Sequence, residues 1–266
     1  MTANDTMTRI EHVNCGWLHK PPLPPASCHC LMVLSGNSAV LIDTGIGMHD
    51  IVAPEQRIGS AAVDAAGFKF LPEVTAIRQL ESRGMSASSV TDIVLTHCDS
   101  DHVGGLSDFP NARVHLASEE KVNLDAGNPR YTPRQFSHGP NWRTYSENNC
   151  EVLGLPSRRI NTTFDLDIRL VPLFGHTNGH CGVAIHHNGA WIIHVGDAYY
   201  LRDELTNEDH PISGLATLRA DNNKLRKESL EKLRQLTRRT DVDLTYFGYH
   251  DISELPDTIT MYEDLA

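Results

Sequence analysis

Four short apolar runs in this chain stop at a histidine or an aspartate set beside glycine. Residues 92–105 read DIVLTHCDSDHVGG, 170–176 read LVPLFGH, 191–197 read WIIHVGD and 244–250 read LTYFGYH. Such runs, bounded by glycine and polar turn residues, are strand signals. Turn chemistry accounts for the glycines and for one aspartate or serine after a strand. It does not account for two histidines five residues apart, His97 and His102, with Asp99 and Asp101 between them. Strand ends on one edge of a sheet converge in space. The pattern therefore calls for a fold in which one sheet edge gathers imidazoles and carboxylates, the side chains that bind divalent cations.

The remaining segments fill in that fold. CLMVL (30–34) and AVLID (39–43) flank Ser35-Gly36-Asn37-Ser38 and read as a hairpin that runs into the Gly-rich turn Thr44 to Gly47. Residues 48–72 read as irregular, 75–83 as a helix closed by Gly84, 112–118 as a strand and 119–126 as a short helix. Strand-like runs return at 167–173, 182–188 and 191–197, the second ending at the turn pair Asn188-Gly189. Residues 221–239 form the strongest amphipathic helix, with Leu225, Leu230, Leu233 and Leu236 near one face. Strands thus come in two groups, each accompanied by helices. Two mixed β-sheets packed together with helices outside, a four-layer αββα sandwich, is the expected architecture, as a single domain over 1–266. Residues 127–150 show little periodicity and hold three prolines, two tyrosines and a tryptophan. A loop of that length is expected to be a lid, a binding wall or an oligomer contact.

Composition narrows the partners. Lys plus Arg total 23 against 34 Asp plus Glu, a formal charge of −11. An acidic surface repels phosphate backbones, which disfavours nucleic acid. No apolar run approaches the roughly 20 residues that span a bilayer, and the first residues lack a secretory pattern. Six scattered cysteines then read as thiols in a reducing compartment, and the cytoplasm is the expected location. Most of the fifteen histidines need no function: His12, His19, His49, His138 and His210 lie in polar or irregular stretches, and His186 and His187 at a hairpin end. Cys98, in a tight loop of alternating residues, is expected to point away from its neighbours, and Cys28 and Cys30 to be buried strand residues.

THCDSDHVGG (96–105), preceded by LIDTG (41–45) and followed by GHTNGH (175–180), VGDAYY (195–200) and YHD (249–251), resembles the metallo-β-lactamase superfamily over about residues 29–251. The resemblance implies a binuclear site at one edge of the sheets. His97, Asp99 and His176 would hold one divalent ion. Asp101, His102 and His250 would hold the other, and Asp197 would bridge them together with a water or hydroxide. Asp43 and His180 would support these ligands by hydrogen bonds. The family's usual H-x-H-x-D-H is H-x-D-x-D-H here, so a carboxylate stands where a histidine is common; di-iron relatives carry Glu there. This harder ligand shifts preference from Zn, the first choice, toward Fe or Mn. The chemistry implied is hydrolysis by a metal-bridging hydroxide, with Asp101 and Asp197 at its centre and Tyr199 or Tyr200 as a donor to the developing oxyanion. A carboxylic ester or lactone is the expected small-molecule substrate, with residues from Arg130-Tyr131 to Trp142 walling an acyl or ring pocket. The alternatives are a β-lactam, thioester or phosphoester hydrolase, or a metal-poor binding or sensor protein retaining the fold. A homodimer is kept open as the assembly. A nuclease is disfavoured by the charge, and a flavin-linked oxygen reductase by the absence of a flavin domain after His250.

Overall fold

The structure, a computed structural model, describes residues 7–259. Thirteen strands are described, in two sheets. β1 (Arg9–Leu18), β2 (Ala26–Ser35), β3 (Ser38–Ile42), β4 (Phe68–Lys69), β5 (Val90–Val94), β6 (Arg113–Ala117) and β7 (Asn141–Tyr145) build the first, in the order β4-β1-β2-β3-β5-β6-β7. β8 (Cys150–Val152), β9 (Leu155–Ile160), β10 (Asp167–Pro172), β11 (Cys181–His187), β12 (Ala190–His194) and β13 (Leu244–Phe247) build the second, in the order β13-β12-β11-β10-β9-β8. Both are mixed: β3, β5, β6 and β7 run parallel while β1 to β3 are antiparallel, and β12 and β13 run parallel beside the antiparallel β8 to β12.

The packing follows from alternation along the strands. Leu31, Val33, Val40 and Ile42 point from the first sheet onto Ile168, Leu170, Val183 and Ile185 of the second, and all eight are completely buried. Each such side chain contributes roughly 1.5–3 kcal/mol on leaving water. The opposite face of the first sheet (Cys28, Cys30, Met32, Leu41, Ile93, Val114) lies under the helix Ala76–Ser82 and the loops around it. The opposite face of the second (Val171, Ala184, Ile193) lies under Leu230, Leu233 and Leu236 of the helix Asn223–Thr237. Helix, sheet, sheet and helix make the four layers expected.

Three differences from the sequence reading stand out. Residues 48–66, expected to be irregular, form the short helices Met48–Val52, Pro54–Arg57 and Ser60–Ala66. Residues 141–145 of the expected loop form the edge strand β7, which pairs in parallel with β6. Leu225 is not on the buried stripe of its helix: it is 36% exposed in the first turn, where its N–H is capped by Asn222 Oδ1, and Arg226 and Ser229 take the inward positions.

Strand direction places the site. β3 and β5 end on the same edge because they are parallel. β10 and β12 also share a direction, each being antiparallel to β11, and β13 is parallel to β12. The loops after β5, β10, β12 and β13 are therefore brought together, joined by Cys181 N–H to Thr96 O (2.9 Å) and Tyr249 N–H to Gly196 O (3.2 Å).

Candidate metal centre

Asp43, one residue past β3, sits at φ 56°, a left-handed conformation that aspartate tolerates better than most residues. There its carboxylate accepts Thr96 N–H (2.8 Å), Thr96 Oγ1–H (2.7 Å) and His102 Nδ1–H (2.9 Å). It thus fixes both ends of the 96–102 loop from beneath. On the second sheet, Gly196 turns the chain at φ 56°, where a Cβ would lie 2.6 Å from His180 Nε2. The turn aims Asp197 at the first sheet's loop, and His180 Nε2 accepts the Asp197 N–H (3.0 Å) while its Nδ1 donates to Leu173 O (2.9 Å).

The side chains so placed form two groups, His97 with His176 and Asp197, and Asp101 with His102 and His250; within each group the ligand atoms all lie within 4.8 Å of one another. Asp197 reaches across both. Its Oδ1 is 3.3 Å from His102 Nε2, and its Oδ2 is 3.4 Å from His176 Nε2 and 3.3 Å from His250 Nε2. His250 Nε2 lies 3.5 Å from Asp101 Oδ2. Ligand atoms each about 2.1 Å from one tetrahedral ion stand about 3.4 Å apart, close to these separations; Asp101 Oδ2 and His102 Nε2 are farther apart, at 4.0 Å.

The protonation pattern fits the same purpose. His250 Nδ1 faces the Ser27 carbonyl (2.9 Å), which only accepts, so that nitrogen carries the proton. His102 Nδ1 donates to Asp43, and His97 Nδ1 contacts Thr96 Oγ1 (3.0 Å), whose own proton goes to Asp43. In their neutral forms His97, His102 and His250 therefore turn a bare Nε2 inward. Burial works against charge on His102 and His250, but Asp197 and the other nearby carboxylates outweigh it and hold both imidazoles above their ordinary pKa, so a cation there would take the place of a proton. Nε2 of His97 and of His102 and Oδ1 of Asp197 are buried with no hydrogen-bond partner. Burial, then the neighbouring His102, holds the His97 imidazole well below its ordinary pKa, in the neutral form that binds a cation. Buried acceptors without donors are costly, and a pair of divalent cations would satisfy all of them.

Asp99 shares this centre on different terms. Its Oδ2 lies 3.1 Å from His176 Nε2 and 3.5 Å from His97 Nε2, ligand-to-ligand spacings again. Arg130 grips the same carboxylate with two hydrogen bonds, Nε to Oδ1 (2.7 Å) and Nη2 to Oδ2 (2.6 Å). Burial raises the cost of the Asp99 charge, but Arg130 and the two histidines outweigh it and hold the carboxyl well below its usual range. Asp99 is thus ionised and aimed at the first group, with a permanent cation already on it.

Comparison with known proteins agrees with this architecture. Residues 23–240 match the model of the metallo-beta-lactamase superfamily. The chain belongs to that superfamily. It is 32% identical, over 99% of its length and 86% of theirs, to proteins of Mycobacterium tuberculosis and Mycobacterium bovis named as probable metallo-hydrolases. Among solved structures, a quorum-quenching N-acyl homoserine lactone lactonase superposes with a TM-score of 0.69 at 15% identity, covering 96% of each chain. A dizinc quorum-quenching lactonase superposes with a TM-score of 0.62 at 18% identity, covering 93% of this chain and 92% of that one. At such identities the likeness is one of fold.

Within this metallo-beta-lactamase centre the two candidate tyrosines part company. Tyr199 is buried in the core of the second sheet, and its hydroxyl donates to Glu254 (2.9 and 3.2 Å). That correction has a simple cause: consecutive residues after Asp197 face opposite ways. Tyr200 faces the site, its ring 5.9 Å from that of His176 and 5.5 Å from that of His250. Burial, then Asp197 and Asp99, push its phenol well above the ordinary value, so it remains a donor. Trp142 is also not a site wall. It packs with Phe136 (6.0 Å between centroids) on the outer face of the first sheet. Cys98 points into that same core.

Three contributors escaped the sequence reading. Arg130 was marked as a pocket wall, and it binds the Asp99 carboxylate. Glu120 is completely buried; Oε1 accepts Cys98 N–H (2.8 Å) and Tyr131 Oη–H (2.7 Å), and Oε2 accepts Thr177 Oγ1–H (2.6 Å) and Gly179 N–H (3.2 Å). It joins the loops that carry His97 and His176. Tyr249 stacks on His102 at 3.7 Å between centroids and donates to Asp101 O (2.6 Å). Its place directly before His250 was the only available signal.

Proposed function

We propose that this metallo-hydrolase relative acts on carboxylic esters, lactones foremost, with two divalent cations held by His97, Asp99 and His176 on one side, Asp101, His102 and His250 on the other, and Asp197 between. The observation that carries this reading is the set of inward, partnerless Nε2 and Oδ atoms at ligand spacing. Cations bound there would supply Lewis acidity and the means to activate water for hydrolysis at neutral pH, with zinc the first candidate and iron or manganese behind it.

The chain's own groups divide the remaining work. Asp43 and His180 hold ligands at fixed angles. Tyr200, partly exposed over both histidine groups, offers a phenol proton to an oxygen that gains charge. The lactone preference draws on the fold shared with N-acyl homoserine lactone hydrolases. Free cysteines at all six positions support a reducing, cytoplasmic setting. Partnerless buried ligand atoms count against a metal-poor sensor, which would have no use for them.

The test is elemental analysis of protein purified without chelator, followed by a screen over acyl lactones, aryl esters, thioesters, β-lactams and phosphodiesters. About two metals per chain are expected, with lactones turned over fastest. Metal near zero would sink the enzyme reading. Two metals with turnover confined to β-lactams or phosphodiesters would sink the substrate class alone.

A further inference from the structure

We propose that Arg130 competes with the metal at the His97–Asp99–His176 position, so that the two metal positions of this centre fill unequally. The inference rests on the two-ion reading above and concerns how this chain departs from a symmetric site.

Arg130 follows the turn at 127–129 and has an 8% exposed side chain with every nitrogen engaged. Nε and Nη2 hold Asp99. Nη1 donates to His176 O (2.8 Å), Arg219 O (3.0 Å) and Asp221 Oδ1 (2.9 Å). The decisive contact is the remaining one: Nη2 also lies 3.1 Å from His176 Nε2. A guanidinium nitrogen therefore stands on two atoms that the first metal would share, the carboxylate oxygen and the ring nitrogen.

The two atoms differ in what they can tolerate. A carboxylate offers about four acceptor positions and can serve Arg130 and an ion together. An imidazole nitrogen offers one. If His176 Nε2 is bare, its lone pair takes the Arg130 N–H; if it is protonated, the proton points at Asp99 Oδ2, 3.1 Å away. Either way the nitrogen is engaged, and an ion must displace what engages it. Guanidinium does not deprotonate, so it has to be moved aside. Its positive charge further opposes a divalent ion, and Arg219 Nη2, 3.8 Å from Asp99 Oδ2, adds to that.

Among the described residues no guanidinium stands on the ligand atoms of the other position. His102 Nε2 has no hydrogen-bond partner, and His250 Nε2 lies 3.5 Å from Asp101 Oδ2 and 3.3 Å from Asp197 Oδ2. It is expected to fill first. The usual histidine at position 99 would give Arg130 no carboxylate to grip, so Asp99 and Arg130 form one device: the aspartate supplies a ligand and at the same time anchors its competitor.

The experiment is titration of the metal-free full chain with Zn²⁺ against a chromogenic chelator, for wild type, Arg130→Gln and Arg130→Lys. Wild type should bind two equivalents, the second at least tenfold weaker than the first. Arg130→Gln should tighten the weak equivalent by tenfold or more and leave the tight one unchanged. Arg130→Lys, which keeps the charge without the fork, should fall between, and carries the comparison if the glutamine variant fails to melt cooperatively. His176→Ala should abolish only the weak equivalent. Two equal affinities in wild type overturn the proposal while leaving the two-ion reading intact, and so does a weak equivalent that loosens or stays put in both Arg130 variants. One equivalent or none in every protein overturns the two-ion reading and this proposal with it.

Discussion

Asp99 shows how far single residues could be read. Its position, two after His97 and two before Asp101, marked it as pointing into the site, and its Oδ2 lies 3.5 Å from His97 Nε2 and 3.1 Å from His176 Nε2, the candidate ligand nitrogens. The sequence held no sign that Arg130 would grip it, because the contact joins residues 31 apart and Arg130 lies in an aperiodic segment. Asp99→Ala should cost one metal equivalent and most activity, and should lower stability by about 1–3 kcal/mol because a buried arginine loses its main partner; metal analysis with a urea titration checks both parts. Asp99→His should retain two metals and favour zinc. An alanine variant that holds both ions as tightly as wild type would remove Asp99 from the ligand set. Glu120 makes a complementary case, since a lone glutamate early in a short helix resembles any solvated helix residue until four donors close on it. Burial pushes its carboxyl up to about 7. At pH 8, Glu120→Gln would set an amide NH₂ against existing donors. A loss of about 1–3 kcal/mol and a looser grip on metal are expected in melts and chelator competition; unchanged values would mean the loops hold their places without it.

Secondary elements were legible where burial is two-sided. Strands β2, β3 and β11 are near-continuous apolar runs because most of both faces is covered. β7, with sequence NWRTY, was not, being an exposed edge strand carrying no apolar alternation. The helices between residues 48 and 66 are four to seven residues long, too short to be stable alone. Tertiary contacts hold them, notably the buried Asp50–Arg57 pair (2.9 Å) with Gln135 Nε2 alongside. Asp92, on β5, gives a pH test at this scale. Its buried carboxylate receives Arg113 (2.7 Å), His115 (2.8 Å), and the N–H and Oγ1–H of Thr163 (3.0 and 2.8 Å). Burial works against its charge, but these bonds outweigh burial and hold the carboxyl far below the ordinary value. A depressed carboxyl stabilises the fold above its unfolded pKa, about 3.9, and that stability drains away as pH falls below it. Asp92→Asn should therefore melt well below wild type at pH 7, with the gap narrowing steadily from pH 4 downward. A gap independent of pH would mean the carboxylate's charge has no role.

For the whole molecule, two packed mixed sheets were predictable from two clusters of strands, and the convergence of their loops followed from strand direction. Which faces each tyrosine and tryptophan would occupy was not, since that depends on contacts between sheets. Because His97 to His102 come from the first sheet and His176, Asp197 and His250 from the second, a metal bound by them would tie the halves together. Stripping it with chelator should lower the melting temperature by about 5–10 °C, since a ligand at 100 times its Kd adds about 2.7 kcal/mol, and zinc should restore it; an unmoved melt would show that the centre adds nothing to stability. The division between sheets also has a consequence for the order of synthesis. Asp101 and Tyr249 are 148 residues apart, so at about 5–20 residues per second roughly 7–30 s pass on the ribosome between the two. During that interval Asp43 and Thr96, both already made, can hold the 96–102 loop in shape, as a half-built socket waiting for its far wall. Early in that interval only four of the seven proposed ligand side chains have been made and at its end His250 is still missing, so the finished centre belongs to the last stage of the chain's emergence.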